Sequence, residues 1–585
     1  MKKILNTPER VVQEMCFGMT LACPQLAFDP KYKIVRKKVL NPGKVSLISG
    51  GGSGHEPAHA GFVGTGMLDA AVCGDIFASP SQIQVYRALK MVTGEKGTLM
   101  IIKNYSGDIM NFQNAAHMAT EDGLTVDYVK VEDDVAVQDS LYTVGRRGVA
   151  GTVLVHKIAG AAAERGWPLS EVKRVAQKAA DNVRSIGVAL TSCTVPAKGS
   201  PTFELAEDEM EYGVGIHGEP GICREKLCSA QQLANRMVRA LAEDLAMAAQ
   251  RHENIVLLVN GFGATPLQEQ YILNYWAFQK LAEYDVTVTR NLVGNYMTSI
   301  DMAGVSLSIM RMDDELQSLM DDCVNAPALA WHSPSEPLRC TTFGAEQDAA
   351  CPVSFSTGAP QARRVTGNVL SKENIIYLVD KMSEIIIREE TAFCELDSHA
   401  GDGDFGMSVA KGFRQLKREW PEMLAAAKTD IGAFLEACSI VIMAHCGGAS
   451  GPIWGSAFRA AGKATAGKMF LSVSDMAAML QAAVDGIQTT GARSFGRGAV
   501  VGDKTLIDAL APCAGFWAAA ANTQKIVDVF RGAAAAAVEG AEQTKAFAAH
   551  MGRAGTVGHR SIGYPDAGAY ALGYIFTELG ESLCD

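Results

Sequence analysis

Several features that would place this chain in a membrane, an oxidising compartment or on nucleic acid are missing from it. No run of about 18 apolar residues is present, so no helix long enough to cross a bilayer is expected, and MKKILNTPER at the N-terminus lacks an apolar segment of signal-peptide length. A cytoplasmic protein is expected. The 14 cysteines are scattered from Cys16 to Cys584 with no CxxC pair, which argues for reduced thiols rather than a disulfide or zinc framework. No run of lysine or arginine makes a basic patch, and 53 basic against 64 acidic residues give a formal charge of −11, which argues against nonspecific nucleic-acid binding. No glycine loop ends in the Gly-Lys-Ser/Thr of a Walker A motif. An acidic protein that handles phosphates must then recruit metal ions or local donors.

The chain has 585 residues, too many for one core, and at roughly 100 to 200 residues per domain two to four domains are expected. From about residue 35 to 310, β-branched runs (KVSLIS, TLMIIKN, TVDYVKV, IGVALTS, IVLLVNG, VTVTRN) alternate with helical patterns, the mark of a mixed, largely parallel α/β architecture. Three of the runs end in glycine-bearing loops, at 49–54, 105–108 and 261–263. Ligands in α/β folds sit at such strand ends. Residues 326–369, rich in proline and polar filler, read as a linker between a domain over 1–325 and another over 370–585. The second domain reads as all helical, opening with an amphipathic helix capped by Ser371.

Two groups of residues carry candidate chemistry. In the first half, SGGGSGHEP (49–57) offers free amides and His55, KNYSGD (103–108) brings Lys103 and Asp108 to one strand end, and GVGIHGEPG (213–221) holds His217 between glycines. The last contains a formal GxGxxG, but Glu219-Pro220-Gly221 follow it and break a helix rather than start one, so a dinucleotide fold is rejected. His55, Asp108 and His217 together can supply a nucleophile, a general base and an orienting donor. In the second half, DSHAGDGDFG (397–406) carries Asp397, Asp402 and Asp404, hard oxygen ligands for Mg²⁺, Mn²⁺ or Ca²⁺, on a loop joining the first two helices. A solvated acidic turn has the same composition, and no glutamate stands where an EF-hand needs one. Further glycine-rich islands at 445–452, 496–505, 552–561 and 564–569 suit a nucleotide, since helix N-termini and arginine take phosphates.

GGGSGHEP, KNYSGD and GIHGEPG in order, followed by GDGDxG, GGxSG, GDKT and GRA, closely resemble the dihydroxyacetone (glycerone) kinases in which a substrate domain is fused to an ATP domain. The resemblance covers about 1–325 and 370–585. It implies a multidomain chain, with an α/β substrate domain of two subdomains and an all-α, eight-helix barrel for the nucleotide. It also implies ATP-dependent phosphorylation of a ketose held covalently on His217 as a hemiaminal. His55 and Asp108 become the hydrogen-bonding and proton-accepting pair, and Gly52, Ser53 and Lys103 further substrate contacts. Asp397, Asp402 and Asp404 would hold two Mg²⁺ ions on the ATP phosphates. Phe405, Gly406, Met407, Ser408, Ala449, Ser450, Gly498, Leu506, Arg553, Asp566, Ala567 and Gly568 would line the nucleotide site. A homodimer in which one chain's ATP domain serves the other's substrate domain is implied as well. Ala449-Ser450 replaces two hydroxyl residues common in the family, and Gly555-Thr556-Val557 replaces Ser-Tyr-Leu. Rival readings are a kinase for a tetrulose such as erythrulose, an added FAD-cyclising (FAD-AMP lyase) activity, and a non-catalytic ketose sensor.

Overall fold

The computed structural model describes residues 2–137, 145–219, 221–248, 251–341, 355, 360–399, 401–551 and 558–584. It divides into two compact units, Met1–Glu346 and Gln347–Asp585.

The first unit contains two sheets. One comprises β1 (Leu26–Asp29), β2 (Ile34–Lys37), β3 (Ser46–Ser53), β4 (Ala70–Ile76), β5 (Thr98–Lys103) and β6 (Val126–Val131), in the order β1-β2-β4-β3-β5-β6. β3 is buried along its whole length, and its sequence holds only apolar residues, glycines and serines, with no charged side chain. It is parallel to both neighbours, β4 and β5. The C-terminal ends of β3 and β5 therefore open on one edge of the sheet, and their two loops lie side by side.

The other sheet comprises β7 (Val183–Ala189), β8 (Glu209–Tyr212), β9 (Cys223–Lys226), β10 (Glu253–Gly261), β11 (Val286–Gly294) and β12 (Gly304–Met312), with order β11-β10-β12-β7-β8-β9. Here the expectation of largely parallel pairing is corrected: β10 and β11 are parallel, but β12 runs antiparallel to both β10 and β7, and β7, β8 and β9 are antiparallel in turn. The short stretch between Gly294 and Gly304 holds no helix, and without a crossover the chain returns antiparallel. The helix Thr152–Glu164, buried from Thr152 to Ala163, shares one hydrophobic core with residues of both sheets.

Much of the stretch 326–369 carries structure. A hairpin pairs β13 (Val324–Ala326) with β14 (Leu329–Trp331), and β15 (Leu338–Arg339) extends the second sheet beside β11. Toward the other end, the Val365 N–H donates to Cys584 O at 2.8 Å within the second unit.

The second unit is mostly helical. Eight helices, Lys372–Arg388, Phe405–Arg418, Ile431–His445, Ser450–Ala464, Val473–Phe495, Ile507–Ala519, Ile526–Gln543 and Ala567–Ser582, each pack on the next, and the last packs on the first, closing a ring. Its interior is lined by apolar side chains that include Leu435, Trp454, Trp517 and Phe576. Ser371 begins the ring with a capping box: its hydroxyl accepts from Asn374 N–H at 3.3 Å, and Asn374 Oδ1 accepts from Ser371 N–H at 2.8 Å. A break at Glu389 starts a short helix, Glu390–Asp397, so the aspartate loop follows the second helix rather than the first. Among the described residues, no helix is long and apolar enough to cross a membrane.

Candidate functional site

In the first unit, residues from both sheets converge. His55, just past β3, is fully buried and donates from Nδ1 to Thr298 O, 2.8 Å away in the loop before β12. Its Nε2 faces Nε2 of His217 at 3.0 Å. Glu219 folds back on His217, accepting from its backbone N–H and from Nδ1, each at 2.9 Å. Gly218 makes that reversal possible with a left-handed φ of 73°. Burial pushes the Glu219 carboxyl up, but His217 beside it, their hydrogen bond and Arg147 outweigh this and bring it to about 2. Phe77 stacks on the His55 ring at 5.2 Å, and Tyr105 meets the His217 ring edge-on at 4.8 Å.

These contacts set the protons. A carbonyl and a carboxylate accept only, so both histidines carry hydrogen on Nδ1. The two facing Nε2 atoms, 3.0 Å apart, are placed to share one hydrogen. His55 is the weak partner, its charged form disfavoured by burial first and then by His217 and Lys103.

Lys103, the last residue of β5, and Asp108, in the first turn of the helix Ser106–Glu121, are both buried and form an ion pair at 3.4 Å. Asp108 Oδ1 has no hydrogen-bond partner among the described residues. Gly52 tolerates no side chain, since a Cβ there would overlap the Phe77–Ala78 backbone, and Ser53 Oγ donates to Gly74 O at 2.8 Å. The structure thus brings together His55, His217, Gly52, Ser53, Lys103 and Asp108. Sequence reasoning overlooked Glu219 and Tyr105, although both stand inside motifs it singled out. It also overlooked Arg147, Phe77 and the Thr298 carbonyl, for which the sequence offers no local signal.

In the second unit, Asp397, Asp402 and Asp404 place one carboxylate oxygen each within 4.8 Å of the others. Asp397 Oδ2 accepts from Gly403 N–H at 2.9 Å. Burial, and then the charges of Asp402 and Asp404, push the Asp397 carboxyl above its ordinary value. Three converging hard oxygens that repel one another fit a divalent cation such as Mg²⁺.

The same cleft is lined by Phe405, Ala449, Ser450, Leu506, Asp566, Ala567 and Gly568. Four helices begin there, at Phe405, Ser450, Ile507 and Ala567, so four positive helix ends face one space. Asp566 caps the last of them, accepting from Ala569 N–H at 3.2 Å, and burial lifts its carboxyl to about 7. Lys504 braces the wall by donating to the carbonyls of Thr544, Ser561 and Tyr564 at 2.6 to 2.9 Å. Gly406 and Ser408 are buried in the first turn of the helix Phe405–Arg418, while Met407 on that turn is exposed. Gly498 packs against Gln488. Arg553 and Gly555-Thr556-Val557 lie outside the described residues.

Comparison with known proteins places both units in one family. The Dak1 domain model matches residues 17–328 and the DAK2 domain model residues 399–581. The L-erythrulose 1-kinase of Mycolicibacterium smegmatis is 35% identical, with the whole of each chain covered. The dihydroxyacetone-binding subunit of PTS-dependent dihydroxyacetone kinase 1 from Listeria innocua is 49% identical over 54% of this chain and 95% of its own. A crystal structure of the dihydroxyacetone kinase from C. freundii in complex with AMP-PNP and Mg²⁺ is 32% identical, covers 99% of both chains and superposes with a TM-score of 0.59. The chain therefore belongs to the dihydroxyacetone kinase family, in the form that joins a Dak1 domain and a DAK2 domain on one polypeptide.

Proposed function

We propose that this phosphotransferase uses ATP to phosphorylate dihydroxyacetone, held as a hemiaminal on His217. The observation that carries the reading is the His55–His217–Glu219 arrangement, which fixes both Nδ1 hydrogens and places the two Nε2 atoms to share one hydrogen. His55 takes that hydrogen as His217 Nε2 bonds to the C2 carbonyl carbon, then passes it to the carbonyl oxygen. The product carries a neutral hydroxyl on C2 and an Nε2-substituted imidazolium whose Nδ1–H still donates to Glu219. Glycerol has no carbonyl and cannot be held in this way.

Asp108 Oδ1, buried and free to accept, takes the proton of the terminal hydroxyl while that oxygen attacks the γ-phosphorus. The bond from the γ-phosphorus to the bridging oxygen breaks, and ADP leaves. The four helix ends receive ATP's phosphates. Asp397, Asp402 and Asp404 would hold two magnesium ions, which would supply charge neutralisation for those phosphates. In this reading the protein works as a homodimer.

A second reading, a kinase for erythrulose, is supported by the likeness to the L-erythrulose 1-kinase along the whole chain. Steady-state ATP consumption with dihydroxyacetone, D- and L-erythrulose, glyceraldehyde and glycerol separates the two. Dihydroxyacetone is expected to show the highest kcat/KM and glycerol next to none. A preference for an erythrulose would replace the substrate, and equal rates with glycerol would remove the hemiaminal.

A further inference from the structure

His59 and His156 lie in the core of the first unit and touch none of the atoms in the proposed reaction. His59 is 5% exposed and His156 fully buried. Nδ1 of His59 stands 3.0 Å from Nε2 of His156, and Nε2 of His59 stands 3.0 Å from Lys103 Nζ. Lys103 Nζ has two further acceptors, Gly50 O at 3.3 Å and Asp108 Oδ2 at 3.4 Å. An ammonium has three hydrogens and accepts nothing. Three protein atoms take all three.

This arrangement runs in one direction. Because Lys103 only donates, Nε2 of His59 is the lone-pair nitrogen, and a neutral ring then carries its hydrogen on Nδ1 and donates to His156. Both rings are neutral: burial and then Lys103 pull His59 well below the usual histidine range, and the same two causes bring His156 to about 3. Ser49 Oγ, 3.4 Å from His59 Nδ1, gives its own hydrogen to Ile101 O at 2.6 Å, so toward the ring it is only a second acceptor.

We infer that His59, backed by His156, is a positioning residue: it holds the Lys103 ammonium against Asp108 and so fixes where the unpartnered oxygen of Asp108 faces. The inference rests on the reading of Asp108 as the base. Without His59 the ammonium keeps two acceptors and a buried, unsatisfied hydrogen, so it turns toward another oxygen and the carboxylate moves with it. The ketose anchor at His217 is made of other residues and is left alone.

The test compares His59→Phe, which keeps a ring without nitrogen, with His59→Gln, whose amide oxygen accepts from Lys103. Asp108→Asn is measured beside them, all in the full-length protein with dihydroxyacetone and MgATP. His59→Phe is expected to lower kcat about 10- to 100-fold while KM for both substrates stays within about threefold, and His59→Gln to recover most of the loss. Unchanged kcat in His59→Phe beside an inactive Asp108→Asn overturns the positioning role alone. Equal losses in the Phe and Gln variants also overturn it, since a merely structural ring has no preference for an acceptor. An active Asp108→Asn overturns the reading underneath. If His59→Phe does not fold, His156→Leu takes its place: it removes the 3.0 Å acceptor of the His59 Nδ1 hydrogen and so loosens the ring that holds Lys103, kcat is expected to fall with KM unchanged, and an unchanged kcat refutes the inference.

Discussion

Replacing Glu219 with glutamine isolates charge from shape at the proposed covalent anchor. The amide keeps an oxygen near His217 Nδ1 but carries no charge to set against the imidazole as its Nε2 becomes bonded to carbon. The structure sets the size of the effect. The carboxyl stands at about 2 against an ordinary 4.5, so its surroundings favour the ionised form by about 3 kcal/mol. If most of that comes from His217, kcat/KM for the ketose falls roughly a hundredfold, with KM for ATP unmoved. The same shift bears on acid stability. A carboxyl with a depressed value stabilises the fold fully above its unfolded value of 4.5, and that contribution is lost as pH falls toward about 2. Glu219→Gln should therefore flatten the stability curve across that window in urea titrations at stepped pH. A kcat/KM within threefold of the parent, or an unchanged acid limb, would refute the coupling.

Two further substitutions probe the other groups. Asp402→Ala is expected to abolish turnover while dihydroxyacetone still adds to His217, seen as continuous density from Nε2 to the ligand carbon in a soaked crystal; unchanged turnover would take the loop out of the mechanism. Gly51→Ala places a Cβ onto Lys103 Nζ, whose hydrogens are all engaged, and should lower kcat about tenfold or more without unfolding the protein; full activity would show that the ammonium's position is not critical.

Much of this was legible in the sequence because it is local. β3 and β5 are buried on both faces, so neither carries a charged residue before its C-terminal end, and the glycines that end β3 mark the loop where a side chain would collide. The three aspartates fall within eight residues, so the sequence offered them as candidate ligands of one ion, with a solvated acidic turn as the alternative. The missing parts are those whose meaning depends on distant partners. Glu219 follows His217 by two residues and reads as a turn carboxylate until Gly218 folds it back. Thr298 contributes a backbone carbonyl, which no side-chain pattern can announce. His59 and His156 stand 97 residues apart, so no local pattern couples them. Strand direction in the second sheet was missed because alternating apolar runs report burial and not orientation.

The loops of the two sheets are sewn together at the site itself. Thr298 N–H donates to His55 O at 3.1 Å, Ile300 N–H donates to Gly54 O at 2.7 Å, and His55 returns a hydrogen to Thr298 O. In the proposed reaction, a ketose bonded to His217 while touching His55 and Asp108 is more than a substrate. It is a removable cross-link between two halves of a domain, and it stabilises their union by the free energy of its own addition. On the proposed reading, substrate protects the folded first unit as well as occupying its site, and the protein without ketose is the more perishable form.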